Sequence, residues 1–139
     1  MAYECQQMGQ GNVRPRVLVA DNDEDLLALA ATRLERAGYE VLVARDGEDA
    51  LAQARSAHPD VCVLDAMTPK LTGYDVTRRL RADARTSAMP VILLTARGRE
   101  ADVPGGYGSG ADDCIRKPFS TRELRVRVGA QLARTRRGA

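Results

Sequence analysis

Asp21, Asp65, Thr95 and Lys117 carry side chains suited to phosphoryl chemistry, and each ends or follows a short apolar segment. Segments that are apolar throughout are typical of buried strands in a parallel sheet. The carboxyl ends of parallel strands share one edge of the sheet, where α/β proteins bind their ligands. A carboxylate there can attack phosphorus, while an ammonium and a hydroxyl offset charge on the phosphoryl oxygens. The pattern therefore predicts a phosphoryl-transfer site with Asp65 as the acceptor.

The same edge offers ligands for a metal ion. Mg²⁺ prefers oxygen ligands and keeps several waters, and Asp21 with its neighbours and Asp65 could supply carboxylate oxygens. The loop that follows Asp65 is closed by Gly73, so backbone groups near Met67 are also available. We therefore expect Mg²⁺ to bind beside the acceptor.

Lys117 is informative because the chain strongly prefers arginine. Only Lys70 and Lys117 are lysines among its 21 basic residues. A compact ammonium can approach a carboxylate or phosphoryl group as a point charge, whereas a planar guanidinium fits differently. The Lys117-Pro118 bond is a candidate cis peptide, which would direct the lysine into the pocket.

Strand and helix patterns alternate along the chain, which predicts an α/β fold with a parallel sheet covered by helices on both faces. Ser120 is the expected N-cap of the last helix. The predicted strands are 16–20, 40–44, 61–65, 90–95 and 114–116, and the predicted helices are 23–37, 48–57, 74–82 and 121–133. Between Thr95 and Asp112, five glycines and Pro104 predict only a short or misshapen helix, because both residue types disfavour helix interiors.

Composition and length predict one domain, over residues 15–135, preceded by a disordered polar leader at 1–14 and followed by a basic tail at 136–139. The leader lacks a signal-peptide pattern, and no apolar run is long enough to span a bilayer. We therefore expect a cytoplasmic protein with no membrane partner. Its three cysteines are far apart, so reduced thiols are expected and a zinc site is not.

Four segments, in the order and spacing of the family, resemble a response-regulator receiver domain: Val17–Asp23, Pro59–Pro69, Pro90–Arg97 and Gly110–Phe119. The resemblance implies a flavodoxin-like (βα)5 doubly wound sheet of strand order 2-1-3-4-5. It also implies Mg²⁺-dependent phosphorylation of Asp65 by a sensor histidine kinase or phosphotransfer protein. In that scheme the only catalysis is transfer to the chain itself and dephosphorylation.

The resemblance further assigns roles to individual residues. The metal ligands would be Asp21, Asn22, Asp65 and the backbone carbonyl of Met67. Thr95 would be the switch hydroxyl, and Lys117 would contact the phosphoryl group.

Three departures from the family pattern affect these expectations. Asn22 stands where the family usually has a second acid, so weaker Mg²⁺ binding is expected. Cys114 stands where an aromatic side chain commonly turns inward during switching. The glycine-rich segment Val103–Gly110 replaces a helix that normally contributes to the signalling face. These departures motivate an alternative, a degenerate receiver that binds a protein partner without being phosphorylated.

Other readings stay open at this point. Asp21, Asn22 and Asp23 could simply cap the first helix. A hydrolase that uses an aspartyl phosphate on small substrates would need a second acid and a substrate-enclosing cap, and the sequence offers neither. His58 is expected at the surface and Cys62 in the core.

Partners are predicted only by class. Besides the phosphodonor, we expect a downstream protein target and no direct nucleic-acid binding, because the arginines near the end of the chain have no interleaved aromatic residues. Only a few residues follow the last predicted helix, so we expect no output domain in this chain. The chain would then be either a single-domain regulator or an excised receiver.

Overall fold

The computed structural model describes residues 14–96 and 110–138, with side chains through residue 135. The described strands form one parallel sheet of order β2-β1-β3-β4-β5, which confirms the predicted fold. They are β1 Arg16–Ala20, β2 Glu40–Ala44, β3 Val61–Asp65, β4 Val91–Thr95 and β5 Asp113–Arg116. The described helices are α1 Glu24–Arg36, α2 Gly47–Ala57, α3 Gly73–Ala82 and α4 Thr121–Gly138. The predicted bounds agree to within one residue, except that α4 continues five residues beyond 133.

Side chains that alternate along each strand separate the apolar interior into two cores. On one face, Val17 and Val19 of β1 pack with α1 and α4, which contribute Leu27 and Leu124 among others. The opposite face packs against α2 and α3, and its members include Leu18, Ala20, Leu51 and Leu80. Because both faces are covered, β3 and β4 are buried along their whole length, as central parallel strands should be.

Cys62 and His58 lie where the sequence indicates. Cys62 is fully buried in β3, its thiol lies 3.3 Å from the Met89 sulfur, and burial raises the pKa of that thiol to about 12. His58 is exposed at the end of α2 with φ 49°. Ala37 differs from the prediction: it is the C-cap of α1 and is exposed, so the apolar face of that helix ends at Leu34.

Local hydrogen bonds fix where the helices begin at the edge formed by the carboxyl ends of the strands. The Asp23 carboxylate accepts from the backbone N–H groups of Asp25 and Leu26, so Asp23 is the N-cap of α1. The Ser120 hydroxyl accepts from the N–H of Glu123 at 3.0 Å, as predicted for α4. Asp23 closely follows Asp21 in the chain, and Ser120 closely follows Lys117, so each cap lies near a predicted site residue.

Several expectations fall outside the part of the chain that the structure describes. These are the leader predicted at 1–14, except its last residue, and the glycine-rich segment Val103–Gly110, except Gly110. Among the described helices, none combines the length and apolar character required to cross a membrane.

Candidate functional site

The order of the strands brings the four chemistry-bearing residues to one edge of the sheet. β1 and β3 are neighbours, so Asp21, directly after β1, lies beside Asp65 at the end of β3. β4 lies between β3 and β5, with Thr95 in register with Arg116. The next residue, Lys117, is anchored by its backbone N–H, which donates to the Thr95 carbonyl at 2.7 Å. The site therefore lies where the strand order reverses.

Lys117 connects the two aspartates. Its ammonium donates to Asp21 Oδ2 at 2.7 Å and lies 3.6 Å from Asp65 Oδ1. The following Lys117-Pro118 peptide bond is cis. One cation therefore lies within ion-pair distance of two carboxylates.

The contacts of Asp21 and Asp23 distinguish two interpretations of this segment, a helix cap and a part of the site. Asp21 is completely buried, and its Oδ1 accepts from the Asp23 N–H at 3.0 Å while Oδ2 accepts from Lys117. Asp23 is exposed and caps α1. The cap interpretation is thus right for Asp23, whereas Asp21 faces the lysine and the acceptor.

The electrostatics of Asp65 favour a cation at this edge. Burial raises the pKa of Asp65 above its ordinary value, and the negative charge of Asp21 raises it further. The Lys117 ammonium and a hydrogen bond from the Met67 N–H act in the opposite direction without cancelling the effect. One ammonium therefore does not fully compensate two close carboxylates.

The donor set fits a hard cation such as Mg²⁺ in its chemistry, since carboxylate oxygens of Asp21 and Asp65 both lie within ion-pair distance of the same Lys117 ammonium. Asn22 is exposed directly beside Asp21. Within the described ranges, no group of three or more histidine, cysteine or acidic side chains has the arrangement of a metal site. The fit therefore depends on two carboxylates supplemented by amide, backbone or water oxygens.

Thr95 is buried but weakly held. Its side chain is 1% exposed, and its hydroxyl lies 3.5 Å from the Ile115 carbonyl, which is the outer limit for a hydrogen bond. Cys114, one position before Ile115 on β5, is half-buried and packs against the α2–α3 core. A small side chain thus occupies the position at which the family resemblance implies a large one.

Two residues that the sequence analysis did not single out hold the loop after Asp65. We call residues 66–72 the acceptor loop. The hydroxyl of Thr68, which is 4% exposed, donates to the Leu71 carbonyl at 2.6 Å. Gly47, at the start of α2, donates its N–H to the Pro69 carbonyl at 3.0 Å. Neither contact has a local sequence signal, except that a glycine directly after the Asp46 cap permits close approach.

Gly73, which the sequence analysis did identify, closes the loop through close packing. A Cβ atom on this residue would lie 2.6 Å from the Asp65 carbonyl oxygen and 3.0 Å from Ala66 Cα. Its N–H donates to the Ala66 carbonyl at 3.0 Å. The start of α3 therefore packs directly under the end of β3.

Comparison with known proteins gives a consistent assignment. The family model "Response regulator receiver domain" matches residues 17–129. The DNA-binding dual master transcriptional regulator RpaA of Synechocystis is 46% identical over 123 residues, which are 88% of this chain and 51% of RpaA. The alkaline phosphatase synthesis transcriptional regulatory protein PhoP of Bacillus subtilis is 44% identical over 120 residues, 86% of this chain and 49% of PhoP.

Solved structures agree. A putative response regulator from Chloroflexus aurantiacus superposes with a TM-score of 0.83 at 35% identity, covering 87% of this chain and 99% of that one. The receiver domain of sensor histidine kinase PA1611 from Pseudomonas aeruginosa has a TM-score of 0.80 at 26% identity, with coverage of 87% and 99%. That structure is described as having a magnesium ion coordinated in the active site cleft.

The expectation of no direct nucleic-acid binding was wrong. Several relatives are described as DNA-binding regulators, among them RpaA and the MtrA proteins of mycobacteria. This chain spans about half the length of the curated relatives it matches. The expectation rested only on the charge and aromatic content of these 139 residues. Together, the family match and the fold identify the chain as a member of the response-regulator receiver family, a family of two-component signalling proteins.

Proposed function

We propose that this chain is a phosphoacceptor receiver, phosphorylated on Asp65 by a sensor histidine kinase or phosphotransfer protein in a Mg²⁺-dependent reaction. The observation that carries the proposal is the Lys117 ammonium lying between Asp21 and Asp65, at 2.7 and 3.6 Å. The family match supports the same reaction class. An acceptor, a cation and a buried hydroxyl at one sheet edge are the groups that phosphoryl transfer needs.

In the proposed reaction a carboxylate oxygen of Asp65 attacks the phosphorus of a phosphohistidine. The phosphorus–nitrogen bond breaks, the electron pair leaves with the imidazole, and an aspartyl phosphate forms. Lys117 and the Met67 N–H, which already face the Asp65 carboxylate, orient it and offset phosphoryl charge. Asp21, Asn22, Asp65 and the Met67 carbonyl would hold Mg²⁺, and the bound ion supplies positive charge to the phosphoryl oxygens.

Phosphorylation is also proposed to move two groups. Phosphoryl oxygens attract the Lys117 ammonium, which now donates to Asp21. They also offer the Thr95 hydroxyl a stronger acceptor than the Ile115 carbonyl 3.5 Å away. Because Thr95 and Lys117 flank β5, the change would be transmitted to that strand and to the start of α4.

The direct test is phosphorylation with acetyl phosphate and Mg²⁺, followed by intact mass measurement. Wild type should gain one phosphoryl group and Asp65→Asn none. Asp60→Asn is the matched control, because Asp60 is an exposed acid near the amino end of β3, where its carboxylate accepts from the Arg16 N–H at 2.7 Å. Equal labelling of wild type and Asp65→Asn would contradict the assignment of the acceptor.

The output is proposed from the relatives. We propose that phosphorylation of this receiver controls DNA binding, because RpaA and MtrA, of which this chain spans about half the length, are described as DNA-binding regulators. The test uses the complete natural gene product, with and without phosphorylation, incubated with fragmented genomic DNA from its source organism. Enrichment of specific fragments in one state supports the proposal; no enrichment in either state contradicts it.

The degenerate-receiver alternative is less well supported. It predicts that the acceptor site has lost its electrostatic function, yet Asp65, Asp21 and Lys117 remain within ion-pair distance. Titration with Mg²⁺ while amide shifts are recorded separates the two. Saturable millimolar binding with shifts near Asp21 and Asp65 favours the active receiver, and absence of such shifts favours the alternative.

A further inference from the structure

One backbone atom, the Leu71 carbonyl oxygen, is the point where the acceptor loop is held. It accepts the Thr68 hydroxyl hydrogen bond at 2.6 Å, from a side chain that is 4% exposed. A buried hydroxyl that lost this partner would carry an unsatisfied polar group. The bond therefore ties Thr68 firmly to the far side of its own loop.

Gly47 approaches the same atom from outside the loop. A Cβ atom on Gly47 would lie 1.9 Å from the Leu71 oxygen, 2.6 Å from its carbonyl carbon and 2.7 Å from its Cβ. The obstructing carbonyl is backbone and cannot rotate away. Gly47 also donates to the Pro69 carbonyl at 3.0 Å, and the adjacent Asp46 lies 3.6 Å from the Lys70 ammonium. The start of α2 and the acceptor loop are therefore in direct backbone contact.

The loop passes this constraint to the acceptor. Thr68 follows Met67, whose N–H donates to the Asp65 carboxylate. The Thr68 N–H is directed at the Asp65 carbonyl, 3.4 Å away. Any shift of the Leu71 carbonyl moves Thr68, and with it the neighbouring Met67 N–H that donates to the Asp65 carboxylate.

We infer that Thr68 and Gly47 are positioning residues for phosphorylation of Asp65: they converge on the Leu71 carbonyl and thereby hold the Met67 peptide against the acceptor. This inference rests on the proposed function. Neither residue touches the reacting atoms; each acts through the loop. The inner contact is the hydrogen bond from the Thr68 hydroxyl to the Leu71 carbonyl. The outer contact is the close approach of Gly47 to the same carbonyl, which is possible because glycine has no side chain.

Three variants test the inner contact. Thr68→Val removes the hydroxyl at nearly constant volume, Thr68→Ser retains it, and Thr86→Val is the matched control. Thr86 is 2% exposed and donates to the Leu80 carbonyl at 2.7 Å, away from the site. The rate constant for phosphorylation by acetyl phosphate should fall about tenfold in Thr68→Val, because a small displacement of a positioned group slows the reaction strongly. Thr68→Ser and Thr86→Val should stay within about twofold of wild type.

A second readout does not depend on phosphorylation. Hydrogen exchange at the Met67 amide should be faster in Thr68→Val than in wild type and unchanged in Thr86→Val. Wild-type rate and exchange in Thr68→Val overturn the inference, as does an equal rate loss in Thr86→Val. If wild type accepts no phosphoryl group, the proposed function fails, and Met67 exchange alone then decides whether Thr68 holds the loop.

Gly47→Ala tests the outer contact, with Gly129→Ala as the matched control. A Cβ on Gly129 would meet only the Tyr39 hydroxyl, at 3.8 Å, which is ordinary contact. Gly47→Ala should accelerate Met67 exchange and lower the phosphorylation rate constant at least as much as Thr68→Val. Gly129→Ala should match wild type in both. If Gly47→Ala folds and shows wild-type exchange at the Met67 amide and a wild-type phosphorylation rate, the role of Gly47 is contradicted. If this variant does not fold, the Thr68 variants decide whether the loop is held for phosphorylation.

Discussion

Lys117 and Asp21, 96 positions apart in the chain, form a charged hydrogen bond of 2.7 Å, shorter than the 3.6 Å approach of the same ammonium to Asp65. In the unphosphorylated protein the lysine is thus chiefly a partner of a buried carboxylate. Its side chain is 26% exposed and that of Asp21 only 1%. The contact therefore contributes to the stability of the fold.

Lys117→Met should lower the free energy of unfolding by about 2 to 3 kcal/mol, because it leaves the Asp21 charge buried without its partner. Urea unfolding measures the change. Lys70→Met is the control, since Lys70 is 60% exposed and 3.6 Å from Asp46, and it should cost under about 1 kcal/mol. The double variant Asp21→Asn/Lys117→Met should recover part of the loss; equal effects of the two lysine substitutions would contradict this account.

Asp65→Asn should stabilise the protein at neutral pH. Burial and the charge of Asp21 raise the pKa of Asp65, so the folded state binds its proton more tightly than the unfolded state does, and wild type loses stability as pH rises through that pKa. Asparagine removes the penalty, with a rise in Tm of about 2 to 5 °C. The gain should vanish below about pH 3, where the aspartate is protonated in the folded and in the unfolded state. Thermal unfolding of wild type and Asp65→Asn at neutral and at low pH measures the difference in Tm and its sign.

Asn22→Asp should tighten Mg²⁺ binding by up to about tenfold at low salt, because it adds a negative charge beside Asp21 at an exposed position. Ser56→Asp adds the same charge near the end of α2, at the opposite edge of the sheet, and should leave the affinity unchanged. Amide-shift titration with Mg²⁺ measures both. Equal affinities for Asn22→Asp and wild type would show that this position lies outside the ion's reach.

Thr95→Val should leave the stability of the unphosphorylated protein within about 1 kcal/mol of wild type, because the hydroxyl gives up only a 3.5 Å contact. If Thr95 is the switch, the variant still accepts a phosphoryl group, but the amide shifts that phosphorylation produces in β5 should largely disappear. Thr95→Ser, which keeps the hydroxyl, should preserve them. Wild-type shifts in Thr95→Val would remove Thr95 from the relay.

The sequence was sufficient for features that depend on local pattern. Apolar runs and capping residues defined the strands and the helix starts, and strand-end placement brought Asp21, Asp65 and Lys117 to one edge. Contacts between distant backbone segments could not be predicted this way. The approach of Gly47 to Leu71 depends on how α2 packs against the acceptor loop, and the preference of Lys117 for Asp21 depends on relative burial. Both are consequences of tertiary packing.

The unequal burial of the two aspartates has a chemical consequence. Asp21 is fully buried, and its two carboxylate oxygens accept hydrogen bonds from Lys117 and from the Asp23 N–H. Asp65 keeps 8% of its surface open. In the proposed reaction, a phosphodonor arriving from solvent would therefore reach the Asp65 carboxylate and not the neighbouring carboxylate of Asp21. The choice between the two carboxylates would then follow from their access to solvent, and the buried one would keep its hydrogen bond with Lys117.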